Sequence, residues 1–133
     1  MKTILVAEDR ESSRELIRTM LEHSGYSVVE AVNGNEAVIL TRERSPDLIF
    51  LDLQMPLKDG YEVLKELRSD PRFQSLPIVA LTASAMYGDK ERALNSGFTA
   101  YLTKPLALSD LRKELSRLLP QNSKLLSDGA PTA

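Results

Sequence analysis

Leu48-Ile49-Phe50-Leu51-Asp52-Leu53 places five apolar residues in six positions, without the polar alternation of a half-solvated strand. Such a run reads as a strand covered on both faces, which requires a sheet with helices on each side. The carboxylate of Asp52 therefore arrives at the end of a core strand, just before a loop punctuated by Pro56 and Gly60. A lone aspartate there would be read as a turn cap. A second apolar run, Thr3-Ile4-Leu5-Val6-Ala7, ends in Glu8-Asp9, so parallel pairing of the two strands brings three carboxylates to one edge of the sheet.

The rest of the chain supplies the partners of that strand. Residues Arg10 to Ser24 carry Leu16, Ile17, Met20 and Leu21 at helical spacing, with Gly25 where a left-handed cap belongs. Ser27 to Ala31 reads as a short, half-polar edge strand. Asn33-Gly34-Asn35 then opens a helix to about Arg44, with Ala37 and Leu40 inward. Tyr61 to Ser69 follows as a helix with Val63, Leu64 and Leu67 inward, and Leu76 to Thr82 is a strand that begins with proline where a strand tolerates one. A helix from Asp89 to about Ser96 closes at Gly97, and Ala100 to Thr103 forms a fifth strand ahead of Lys104-Pro105. Ser109 is placed to cap a last helix whose stripe is Leu111, Leu115, Leu118 and Leu119.

Five alternations of strand and helix predict one α/β domain: a five-stranded parallel sheet, order 2-1-3-4-5, with helices on both faces in a doubly wound arrangement. The domain is expected over residues 1–120, and 121–133, polar with little to bury, as a flexible tail or truncated linker. A length of 133 residues suits a single domain. The formal net charge of −2 leaves no basic footprint for direct nucleic-acid binding. No apolar run approaches bilayer length, and the absence of cysteine fits a reducing compartment, so the expected location is the cytoplasm, away from the membrane.

In such a sheet the site lies at the carboxyl ends of neighbouring strands where the winding reverses. Glu8, Asp9, Asp52, Thr82 and Lys104 all fall at such ends. Two carboxylates about 4 Å apart repel by roughly 4 kcal/mol at an effective dielectric near 20, so three require a counter-ion. Hard oxygen donors without His or Cys suit Mg²⁺, Mn²⁺ or Ca²⁺, and a sparse site of carboxylates, waters and phosphate oxygens is the habit of Mg²⁺. A carboxylate beside such a metal is a nucleophile toward phosphorus, and Asp52 is the central one; Lys104 and Thr82 would stabilise the transferring oxygens. Taken singly, Thr82 is an ordinary strand-end threonine and Lys104 a solvated lysine, so the argument is their joint placement. Glycine-rich phosphate loops are missing, Glu8-Asp9 would repel a flavin phosphate, and Gln54 stands where an aspartate-nucleophile phosphatase carries its second acid. His23, late in the first helix, reads as an exposed structural residue.

Glu8-Asp9 after the first strand, Asp52 with Pro56 and Gly60, Thr82-Ala83 after the fourth strand and Lys104-Pro105 after the fifth resemble the receiver domain of two-component response regulators, of the single-domain CheY and DivK kind, over about residues 3 to 119. The resemblance implies that Asp52 accepts a phosphoryl group from a sensor histidine kinase or a histidine phosphotransfer protein. It implies Mg²⁺, with Mn²⁺ as a substitute, on Asp9, Asp52 and the main-chain carbonyl of Gln54, with Glu8 acting through water. Thr82 and Lys104 would contact the phosphoryl group, Lys104-Pro105 would be cis, and Tyr101 would turn inward as Thr82 moves. The surface of the fourth helix, fifth strand and fifth helix would then change its preference for a downstream protein partner, the chain being a monomer or a weak phosphorylation-dependent dimer. Catalysis would extend only to its own phosphorylation and dephosphorylation. The alternatives are a phosphorylation-independent interaction module and a receiver fragment of a larger regulator or hybrid kinase.

Overall fold

The computed structural model describes residues 1–83 and 86–119. The expected tail at 121–133 and the loop residues Ser84-Ala85 lie outside the described residues. In chain order the elements are β1 (Thr3–Ala7), α1 (Glu11–His23), β2 (Ser27–Ala31), α2 (Gly34–Arg44), β3 (Leu48–Asp52), α3 (Gly60–Arg68), a 3-10 turn (Pro71–Phe73), β4 (Ile78–Thr82), α4 (Asp89–Ser96), β5 (Ala100–Thr103) and α5 (Leu108–Leu118). The strands form one parallel sheet ordered β2-β1-β3-β4-β5, as the alternation of elements predicts. Leu5 pairs with Ile49 and Asp52 with Leu81, which sets β3 between β1 and β4 with its carboxyl end level with theirs.

Burial explains the order. Every residue of β3 and β4 is buried, whereas β2 and β5 are only partly covered, so the two half-polar strands take the edges. Side chains alternate between two apolar layers. Ile4, Val6, Phe50, Val79 and Leu81 pack with Ile17 and Leu21 of α1 and Leu111 and Leu115 of α5. Leu5, Ile49, Leu51 and Ala80 pack on the other face with Val38 of α2, Val63, Leu64 and Leu67 of α3 and Ala93 of α4.

Helix ends depart from the sequence reading by a residue or so. Helix α3 starts at Gly60 because Asp59 and Glu62 form a reciprocal capping box, each side chain accepting from the other's N–H at 2.9 Å. Helix α5 starts after Ala107 rather than Ser109, without a side-chain cap bond. Leu16 is 52% exposed although it shares the helical periodicity of Ile17 and Leu21; α1 turns a stripe narrower than its apolar set toward the sheet. The 3-10 turn is capped by Asp70, whose carboxylate accepts from Arg72 N at 3.0 Å.

One helix-end residue ties the lower part of the fold together. The guanidinium of Arg68 donates to the carbonyls of Phe73 and Leu76 at 2.7 Å and to that of Gly97 at 3.0 Å, joining α3, the chain before β4 and the end of α4. Burial lowers its pKa, and no carboxylate among the described residues pairs with it, so neutral oxygens, the three carbonyls and the Thr99 hydroxyl, hold this charge. Arg68→Met removes this set of charge-assisted bonds and is expected to cost about 2–3 kcal/mol, read as a lower denaturant midpoint at unchanged slope.

Candidate functional site

The carboxyl ends of β1, β3, β4 and β5 meet at the top of the sheet, and the chain's chemistry gathers there. Glu8 follows β1 and is completely buried, its N–H donating to Ala31 O at 3.0 Å. Asp9, next in the chain, is exposed. Asp52 ends β3 and is 5% exposed; its Oδ1 accepts from Gln54 N at 2.9 Å and its Oδ2 from Lys104 Nζ at 3.0 Å. Lys104 Nζ also pairs with Glu8 Oε1, and its backbone N–H donates to Thr82 O at 2.8 Å. Thr82 ends β4 and is buried, Gln54 is exposed, and Lys104-Pro105 is cis.

Three carboxylates and one ammonium share this space, with one oxygen each from Glu8, Asp9 and Asp52 all within 4.8 Å of one another. The pKa shifts show how unevenly the charge is tolerated. Burial raises Glu8 above its ordinary 4.5; the bonds from Lys104 and Arg10 N oppose this, and Asp52 adds to it. Burial would lower Lys104, but its hydrogen bonds to Glu8 and Asp52 outweigh that and raise it above 10.5. The lysine is thus held charged between two acids, one of which resists ionisation. Because Glu8 has a raised folded pKa, its contribution to stability is full below about 4.5 and is lost as pH rises through the folded value.

A single lysine leaves a net excess of negative charge, and the donors are all hard oxygen, so the arrangement fits a small divalent cation rather than a soft metal. Without a cation, Asp52 feels two carboxylates within 4.8 Å against one ammonium at 3.0 Å. Asp52→Asn is therefore expected to stabilise the protein in EDTA by about 1 kcal/mol, seen as a higher thermal midpoint, and Asp9→Asn by less because solvent screens it. Calorimetry checks this, and added Mg²⁺ should reverse the order of Asp52→Asn and wild type.

Tyr101 lies on β5 beside Ala80 with its hydroxyl buried and, among the described residues, without a hydrogen-bond partner. Burial raises its pKa above 10.0, with Asp89 adding to the shift. Its ring is partly buried and packs against the apolar layer that α2, α3 and α4 cover. Arg14 and Glu30, which the sequence did not single out, also reach the site: Arg14 Nη1 donates to Glu8 O at 3.0 Å and Nε to Glu30 Oε1 at 3.0 Å. They lie 16 residues apart on different elements, and no periodicity joins them.

An open β2-β1-β3-β4-β5 sheet with clustered acids and a lysine above its central strands defines a class, the receiver modules of two-component signalling. The sequence profile described as the response regulator receiver domain matches residues 4–116, and the chain belongs to that family. It is 42% identical over 107 residues to the polar-differentiation response regulator DivK of Brucella anthropi, covering 80% of this chain and 87% of that one. The chemotaxis protein CheY4 of Vibrio cholerae superposes with a TM-score of 0.83 at 30% identity, over 89% of this chain and 98% of that one. The receiver domain of a Pseudomonas aeruginosa sensor histidine kinase, with a magnesium ion coordinated in its active-site cleft, superposes with a TM-score of 0.83 at 34% identity, over 90% and 98%.

Proposed function

We propose that this receiver is switched by phosphorylation of Asp52. The observation that carries the reading is the buried Asp52 carboxylate at the end of the central strand, bound by Lys104 at 3.0 Å with oxygens of Glu8 and Asp9 within 4.8 Å. An Asp52 oxygen attacks the phosphorus of a phosphohistidine on a sensor kinase or phosphotransfer protein. The oxygen–phosphorus bond forms as the phosphorus–nitrogen bond breaks, and the imidazole leaves with the electron pair. A divalent cation, Mg²⁺ or Mn²⁺, held by Asp9, Asp52 and the Gln54 main-chain carbonyl, with Glu8 through water, would neutralise charge on the incoming oxygens. Lys104, already bonded to Asp52, donates to a phosphoryl oxygen, Thr82 donates to another, and the small Ala83 leaves room between them.

The output of the switch passes through Thr82 and Tyr101 to the surface of α4, β5 and α5. The unpartnered Tyr101 hydroxyl supports this, since a buried donor without an acceptor is sensitive to small movements of its neighbours. Exposed Tyr87, Leu94 and Leu108 lie before or on α4 and at the start of α5, which suits docking of a downstream protein. We read the receiver as residues 1–120 followed by a tail or linker, acting in the cytoplasm as a monomer or weak phosphorylation-dependent dimer. No helix among the described residues is long and apolar enough to cross a membrane. The test is the intact mass after incubation with acetyl phosphate and Mg²⁺. One phosphoryl group should be gained, and the gain should vanish with Asp52→Asn and with EDTA. No gain in folded protein, with phosphoramidate as a second donor, would favour a phosphorylation-independent binding module.

A further inference from the structure

Helix α1 begins two residues after Asp9, and Arg14 in its first turns looks like any solvated helical arginine. Its side chain is nevertheless only 13% exposed, folded back between β1 and the edge strand β2. The two arms of its guanidinium meet different acceptors: Nε donates to Glu30 Oε1 on β2 and Nη1 to the main-chain carbonyl of Glu8, each at 3.0 Å. Glu30 is steadied by a second arginine, Arg18 Nη1 donating to its other oxygen at 3.1 Å. On the opposite flank the Glu8 N–H is bound to Ala31 O at 3.0 Å.

The consequence falls on the next residue. The Glu8 carbonyl and the Asp9 nitrogen belong to one planar peptide, so fixing the carbonyl fixes the direction in which Asp9 leaves the sheet. Asp9's own carboxylate is exposed and, among the described residues, takes part in no hydrogen bond or ion pair. Its aim depends on its backbone. We propose that Arg14, oriented by Glu30, is a positioning residue for the cation site: it clamps the Glu8–Asp9 peptide so that the Asp9 carboxylate converges with those of Glu8 and Asp52. This rests on the reading of those acids as a divalent-cation site. The clamp acts against its own charge, because a guanidinium beside a dication repels it. Its loss therefore separates two effects by sign. Removing a nearby positive charge alone would tighten cation binding, and releasing the peptide weakens it.

The experiment is titration of Mn²⁺, followed by the electron paramagnetic resonance signal of the free ion, on wild type, Asp9→Asn, Arg14→Met, Arg14→Lys and Glu30→Gln. Each is confirmed folded by its thermal midpoint in EDTA. Wild type should bind and Asp9→Asn should lose most affinity. Arg14→Met should bind about tenfold more weakly, in the range of losses seen when partners of metal ligands are removed. Arg14→Lys, which keeps the charge but not the two-armed fork, should also be weakened, and Glu30→Gln by a smaller factor. Equal or tighter binding by the Arg14 variants, with wild type binding normally, overturns the proposal while leaving the cation site intact. If Arg14→Met does not fold, Arg14→Lys and Glu30→Gln decide the question by the same criterion. Absence of Mn²⁺ binding by wild type would instead overturn the reading of the site on which the proposal rests.

Discussion

Lys104→Met is expected to lower the stability of the metal-free protein by about 4 kcal/mol, the cost of stripping buried charges of their partner. Lys104 is the cation bonded to both Glu8, which is completely buried, and Asp52, which is nearly so. Two routes of recovery distinguish this from ordinary loss of packing. The first is protonation. Burial already holds the Glu8 pKa up and Lys104 holds it down, so removing the lysine raises it further. A raised carboxyl pKa means that the folded state binds the extra proton, so the variant should regain stability as pH falls from neutral toward 4.5, more steeply than wild type. The second is a divalent cation, which replaces the missing charge and should stabilise the variant by a larger increment than wild type at saturation. Chemical denaturation at neutral and mildly acidic pH, with EDTA and with Mg²⁺, measures both. A variant as stable as wild type in EDTA would mean that the three acids do not carry their charges together.

Gly34→Ala is the second large effect, expected at about 3 kcal/mol. Gly34 is the first residue of α2, and a Cβ built there would lie 2.2 Å from Lys58 O and 2.4 Å from Lys58 Cβ. The contact is with the backbone of the loop between β3 and α3, whose Pro56 carbonyl faces the Gly34 N–H at 3.5 Å. Relief requires the loop that carries Gln54 to move, so the variant should also bind Mn²⁺ more weakly. Gly25 gives the contrast. It sits at φ 93° after the end of α1 with nothing within 4 Å of an added Cβ. Gly25→Ala meets only the left-handed strain of about 1 kcal/mol, with no effect on cation binding. Denaturant midpoints of the two variants side by side test the distinction, and equal losses would refute it.

The elements were legible in the sequence where physical pattern dominates. Unbroken apolar runs marked β1 and β3 as central strands and the half-polar run at Ser27 as an edge, while the places of β4 and β5 followed from the doubly wound order. The convergence of Glu8, Asp9, Asp52 and Lys104 was legible because the order of a doubly wound sheet follows from alternation, and each residue lies just beyond or at a strand end. What escaped was contact across sequence distance. Arg68 on an amphipathic helix looks solvated until Phe73, Leu76 and Gly97 are placed around it. Arg14 and Glu30 belong to a helix and a strand whose own patterns leave the pairing unspecified. Leu16 shows a related limit: helical spacing names an apolar stripe, but the width of the covered stripe depends on how the helix sits on the sheet, and Leu16 stays exposed. The direct pairing of the fully buried Glu8 with Lys104 is a further contact across sequence distance, spanning 96 positions.

The bond between Lys104 and Glu8 joins residues 96 positions apart. Translation therefore supplies Asp52 long before its counter-charge. A growing chain contains Glu8, Asp9 and Asp52 once residue 52 is made, yet it lacks the β5 edge and Lys104 for about fifty residues more. During that interval the carboxylates have no lysine among them, and the sheet has no fifth strand to bring one. Charge balance in the acid cluster therefore waits on the last strand of the sheet, and the domain closes as a unit only once β5 and Lys104 have been added.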